Sequence, residues 1–279
     1  MIQYLKNQKR NIIQLTTSIL YNLNFKGFKT ASIYNGSLKK LCVPGLNCYA
    51  CPGSIASCPI GSMQALFVGS KYKHNIIDKV PFYAVGLIVV FGVTFGRVVC
   101  GFLCPFGFFQ ELLYKIKTKK IYKNKITQKL TYIKYIVLLL FVIIIPLVAF
   151  NPGFCKYICP QGTLEAGIFH IIRNESLRKM VGPLFLLKST ILIFTIIFSI
   201  LLYRFFCKFL CPLGALYSFF NGVSVLGVKV DASKCVHCDA CVRSCLMDVK
   251  VVGDKECIEC GDCIKICPHN AISRKDFNK

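Results

Sequence analysis

The sequence predicts a mainly α-helical protein: a membrane bundle of about four helices with internal repeats, followed by a small α+β C-terminal domain organised by cysteines. Three observations predict it. Hydrophobic residues make up 54% of the 279 residues and the mean hydropathy is +0.56, above that of an ordinary soluble protein. Eighteen cysteines fall in clumps, several directly behind apolar runs. From Asp231 the chain turns polar and cysteine-dense, and these last 49 residues hold too little apolar sequence to fold except around metal.

Three runs, 81–99, 132–150 and 183–206, read as spanning helices. Each is long enough for about 28 Å of helix, the thickness of a hydrocarbon core. A weaker run over 12–25 carries Gln14, Asn22 and Asn24 and is the candidate fourth. The division expected is 1–80, an N-terminal helix and cysteine-rich loop; 81–220, the transmembrane region; and 221–279, the cysteine-rich domain.

The membrane part repeats a tag. Cys100-Gly-Phe-Leu-Cys104-Pro-Phe-Gly, Cys155-Lys-Tyr-Ile-Cys159-Pro-Gln-Gly and Cys207-Lys-Phe-Leu-Cys211-Pro-Leu-Gly each follow a strong apolar run, 55 and 52 residues apart. An altered copy, Cys51-Pro-Gly-Ser-Ile-Ala-Ser-Cys58-Pro-Ile-Gly, follows the weak run. Clumped cysteines in a chain with ample apolar sequence favour metal over disulfides.

The net charge of +23 does not mark a nucleic-acid binder. Residues 231–279 hold eight acids and eight bases, so the excess lies in 1–230, where 27 Lys and Arg face only Asp78, Glu111, Glu165 and Glu175 between apolar runs. That is the pattern of membrane-protein loops.

In the tail, Cys235-x2-Cys238-x2-Cys241-x3-Cys245 precedes Cys257-x2-Cys260-x2-Cys263-x3-Cys267-Pro268, the bacterial two-cluster spacing given twice. The fourth cysteine of each run crosses to the other cluster. One [4Fe-4S] cluster is therefore expected on Cys235, Cys238, Cys241 and Cys267, and a second on Cys257, Cys260, Cys263 and Cys245. Leu246 stands where proline would end the first run. Zinc sites instead pair separated C-x2-C knuckles.

Each crossing of the bilayer reverses side, so Cys100 and Cys104 share a face with Cys207 and Cys211, four thiolates for a further [4Fe-4S] cluster. Cys155 and Cys159 emerge opposite, with Cys42, Cys48, Cys51 and Cys58 as possible companions. Cys58 corresponds by repeat position to Cys104. Its own companion is Cys51 or Cys48, and Cys51 is taken as the candidate ligand. One or two membrane clusters are thus expected beside the two in the tail.

The tags at Cys100–Gly107 and Cys207–Gly214, together with the tail, resemble the membrane-bound 4Fe–4S polyferredoxins. That family includes the NapH-type quinol dehydrogenase subunit, the membrane part of NosR and the CcoG-type proteins. The resemblance covers about Leu41 to Ile272. It implies a multi-pass protein of the cytoplasmic membrane passing electrons between a cytoplasmic or quinol donor and a partner redox protein. Its partners would be the bilayer, redox proteins and a quinone. The alternative is a redox sensor or a maturation protein for a metalloenzyme. Any enzymatic role would be that of an electron-transfer subunit of an oxidoreductase.

Glu111 and Glu165, each just behind a tag, are candidates for proton or quinol chemistry, though a carboxylate paired with a base is the plainer reading. His237 and His269 lie in or beside the tail's cysteine loops. No C-x-x-C-H, G-x-G-x-x-G or Walker A sequence occurs. The denser Lys cluster at 115–129 shares the face of the tail, which places the C-terminal domain in the cytoplasm.

Overall fold

Proline decides where several helices begin. The residue before a proline is pushed into extended backbone, and proline itself suits the first helical position. In the computed structural model, which describes residues 2–69 and 82–275 and the side chains from residue 9, Cys104, Cys159 and Cys211 take ψ of 114°, 108° and 110°, and a helix opens at the proline after each. Pro59 opens the helix Pro59–Gly69 after Cys58 in the same way. The expected boundary at residue 80 and the helix start at Pro81 lie outside the described residues.

The first helix runs Ile2–Tyr21, earlier than the predicted 12–25. Gln14, which weakens the run as a span, is fully buried and its Nε2 donates to the Gly101 carbonyl at 2.9 Å. The helix Phe82–Phe95 ends where Gly96 takes φ +51° and the Arg97 N–H is captured by Asn221 Oδ1 at 3.0 Å. A Cβ at Gly96 would also meet Ser224 at 2.9 Å.

A 24-residue helix follows at Lys125–Val148, opened by the Asn124 side chain and containing a widened turn, Leu138–Ile144, just ahead of Pro146. Such a turn absorbs the hydrogen bond that proline cannot make. The helix Pro183–Leu201 stops short of the predicted Phe206, because Arg204 takes φ +51° and the chain restarts at Phe205–Phe209. By length and composition two helices, Lys125–Val148 and Pro183–Leu201, suffice to cross a membrane; Phe82–Phe95 is apolar but shorter. The expected four spanning helices are thus two of full length among the described residues.

The packing is inverted relative to a water-soluble core. Only 17% of the Pro183–Leu201 window is buried, with Leu186, Ile193 and Phe194 facing outward, whereas Arg97, Lys134 and Arg204 are all 0% exposed.

After Phe220 the strands β1 (Val228–Val230) and β2 (Ile272–Arg274) pair antiparallel, Val230 opposite Ile272, around two short helices, Ala240–Arg243 and Asp262–Ile266. This unit is fastened to the helices by buried charge. Arg97 and Lys134 share Glu256 at 3.1 and 2.6 Å, and Lys208 meets Asp248 at 2.8 Å. The unit also packs closely at Gly101, where a Cβ would lie 2.5 Å from the Ile258 carbonyl oxygen.

Candidate metal centres

All eighteen cysteines are unpaired thiols. In the C-terminal unit they line two adjoining cavities. Cys235, Cys238, Cys241 and Cys267 line one of about 330 Å³; Cys245, Cys257, Cys260 and Cys263 line a second of about 270 Å³. These are the sets that the crossing pattern requires, and Cys241 forms part of both walls. His237 and His269 stand on the wall of the first. Cys238 is exposed, whereas the second set faces the helices, with Tyr203 on its wall. Burial pushes the Cys260 and Cys263 thiols up to about 12, so they are thiolates only when iron replaces the proton.

Cys100, Cys104, Cys207 and Cys211 come together as expected, each at most 8% exposed and within electrostatic reach of one another. We refer to them as the inner site. The second cysteine of each tag acts as the N-cap of the helix it precedes: the Gly214 N–H points at Cys211 Sγ at 3.3 Å, and the Gly61 N–H at Cys58 Sγ at 3.4 Å. Glycine at this position keeps the space beside the sulfurs clear. A Cβ at Gly61 would sit 3.8 Å from Cys58 Sγ and 4.0 Å from Cys155 Sγ.

A cavity of about 380 Å³ is walled by Cys48, Cys58, Cys155 and Cys159, the outer site. Cys51, expected as its fourth ligand, is not on this wall; its Sγ faces Asn22 Oδ1 at 3.7 Å. Cys42 pairs its Sγ with Ser62 Oγ at 3.1 Å. The Cys48 backbone N–H is held by the carboxylate of Glu165 at 3.0 Å, a group that burial pushes up to about 7. Glu111 accepts from Arg10 and Arg204, so it sits in an ion-pair cluster rather than free for proton chemistry.

Two glutamines escape a reading of the cysteines alone. Six residues after the second cysteine of its tag, Gln110 donates to Cys207 Sγ at 3.1 Å and accepts from the Phe206 N–H at 2.9 Å. Gln64, at the same offset from Cys58, donates to Cys155 Sγ at 3.3 Å and accepts from the Phe154 N–H at 2.9 Å. The two sites are therefore built on one plan, and the equal offset is the signal that reveals it. They are also contiguous. The rings of Phe154 and Phe206, each just before a cysteine, lie 6.4 Å apart.

The donor sets fit [4Fe-4S] clusters. Four thiols surround each space, and among the described residues no three His, Cys, Asp or Glu side chains converge tightly enough to grip a single ion. Around one zinc the sulfurs would stand about 3.8 Å apart, given Zn–S bonds of about 2.3 Å.

Comparison with known proteins agrees. A 4Fe-4S binding domain model matches three times, at residues 80–124, 134–178 and 184–230, and a second 4Fe-4S binding domain model matches 251–273. The chain is 30% identical to the uncharacterised protein MJ0749 of Methanocaldococcus jannaschii, over 79% of this chain and 78% of that one. It is 26% identical to the methylamine utilization ferredoxin-type protein MauN of Methylobacillus flagellatus, over 67% of this chain and 60% of the relative. With the protein NirI of Paracoccus denitrificans it shares 27% identity over 56% of this chain and 22% of the relative. No solved structure matches it. The chain belongs to the polyferredoxin-like family of 4Fe-4S binding proteins, and its cofactors are [4Fe-4S] clusters.

Proposed function

We propose that the protein is a multi-pass membrane electron conduit holding four [4Fe-4S] clusters in a row, two in the domain 221–279 and one each at the inner and outer sites. The observation that carries this reading is the unbroken contact from site to site. Cys241 joins the walls of the two C-terminal cavities. The Cys257 loop lies against Gly101, and Asn221 Nδ2 holds the Cys257 carbonyl at 2.9 Å. Phe154 and Phe206 then link the inner site to the outer.

The ligands at the outer site are Cys48, Cys58, Cys155 and Cys159, with Cys48 in place of Cys51. Bound clusters supply one-electron chemistry at potentials set by charge, hydrogen bonds to sulfur and solvent access. The chain's own residues do the rest. Cysteines fix the positions; Gln64, Gln110 and the tag glycines direct N–H groups at sulfur; the apolar packing keeps water out.

The outward apolar faces support burial of the helices in lipid. The C-terminal domain lies on the cytoplasmic side, where Cys238, flanked by exposed Val236, offers the docking point for a redox partner. A quinone is the candidate carrier at the far end. Anaerobically purified protein is expected to hold about 16 iron atoms, four per cluster. A content near eight would reduce the protein to a ferredoxin on an anchor.

A further inference from the structure

The two tags of the inner site carry a residue that iron ligation leaves unexplained. Three positions before the first cysteine stand Arg97 and Arg204, whereas the tag at Cys155 has Pro152 there. Both arginines are 0% exposed, and each crosses to the other tag. Arg97 Nη2 would lie 3.7 Å from a Cβ at Gly214, and Arg204 Nη1 3.0 Å from one at Gly107, where it donates to the Cys100 carbonyl. Arg204 holds left-handed backbone, φ +51°, a conformation that is strained for a non-glycine residue and persists only where surroundings enforce it.

The counter-charges do not cancel these cations. Arg97 and Lys134 share Glu256; Arg204 and Arg10 share Glu111, with half-exposed Asp262 at 3.5 Å from Arg10. Asp262 is also paired with Lys265 at 3.2 Å, so each group still leaves one positive charge in excess. The outer site has Lys188, which donates to the Cys155 carbonyl at 3.3 Å, and Lys39, bonded to the Ser54 carbonyl, against buried Glu165. Lys188 is half-exposed, so solvent screens its charge, whereas both guanidinium groups of the inner site are fully buried. Buried charge is costly unless matched, and a four-thiolate cluster carries about two negative charges before reduction and about three after it.

We infer that Arg97 and Arg204 raise the reduction potential of the inner site above that of the outer site, so that the inner site is where an electron rests between the two. The inference builds on the iron–sulfur reading above. The step moves one electron and breaks no bond: the neighbouring site is oxidised by one electron and the inner site reduced by one.

Redox titration of full-length protein in anaerobic membranes, followed by low-temperature paramagnetic resonance, tests it, with Cys211→Ala identifying the inner signal. Arg204→Gln is expected to weaken reduction of that signal at least tenfold, 59 mV for a one-electron couple. Glu111→Gln, which keeps the guanidinium and removes its counter-charge, is expected to move it the opposite way, and Arg204→Lys to stay near the parent. The signal of the more distant C-terminal site, walled by Cys235, Cys238, Cys241 and Cys267, should not move. A purely structural role for these groups would give shifts of one sign or none, and either result overturns the inference. Should Arg204→Gln lose the cluster, Glu111→Gln decides alone, and an unmoved signal there overturns it. If Cys211→Ala removes no signal, the inner iron–sulfur assignment itself falls and the inference with it, an outcome visible before any titration.

Discussion

Cys48 and Cys51 stand three residues apart, yet only Cys48 faces the outer cavity. Cys48→Ser is therefore expected to lower iron content by about four atoms per chain, while Cys51→Ser leaves it unchanged; iron assay of anaerobically purified variants checks this. The repeat alone misleads here. A regular tag ending at Cys58 would begin at position 54, where Ser54 stands, buried and holding Asn47 through its hydroxyl at 3.0 Å. Cys48, the ligand proposed instead, lies in a loop whose path follows local hydrogen bonds, the Cys48 N–H donating to Glu165 among them, and such paths have no period to read. By contrast, the C-terminal cysteines line their two cavities in the sets that the spacing predicts, because three cysteines in seven residues leave one way to wrap a cube. The same reasoning reached the four cysteines of the inner site, since alternation of side follows from counting helices.

Between elements, the tags work as joints. The glycine after Cys100 lets the Cys257 loop press against the helices, and Gly101→Ala would place a Cβ 2.5 Å from a backbone oxygen. Overpacking of this kind costs about 1–3 kcal/mol, so that variant should show a lowered melting temperature and earlier proteolysis of the C-terminal domain. The ion pairs are a second joint. Glu256→Gln strands Arg97 and Lys134, both 0% exposed, and loss of one partner of a buried pair costs about 3–5 kcal/mol. Thermal unfolding in detergent is expected to fall accordingly, and more than for Glu175→Gln, which removes only an exposed pair with Lys179. Helix ends were harder to foresee than helices. The run 183–206 is apolar apart from Lys188, Arg204 and a few hydroxyls, and the helix stops at Leu201 because Leu202 is extended and Arg204, bonded to Glu111, takes a left-handed turn.

For the molecule as a whole, the inner and outer sites approach one another through the rings of Phe154 and Phe206, whose centroids lie 6.4 Å apart. Sequence periodicity gives the order in which tags occur but not the depth to which each segment returns. In the proposed conduit, contiguity is what links four separate sites, and it makes the inner site indispensable. The decisive measurement is rapid-freeze paramagnetic resonance of the protein in sealed vesicles, reduced from the side of the C-terminal domain by a membrane-impermeant donor. In the parent, all four clusters become reduced. In Cys211→Ala the C-terminal pair is still reduced while the outer site stays oxidised. If the outer site of Cys211→Ala is reduced as fast as in the parent, electrons do not pass through the inner site and the conduit is contradicted.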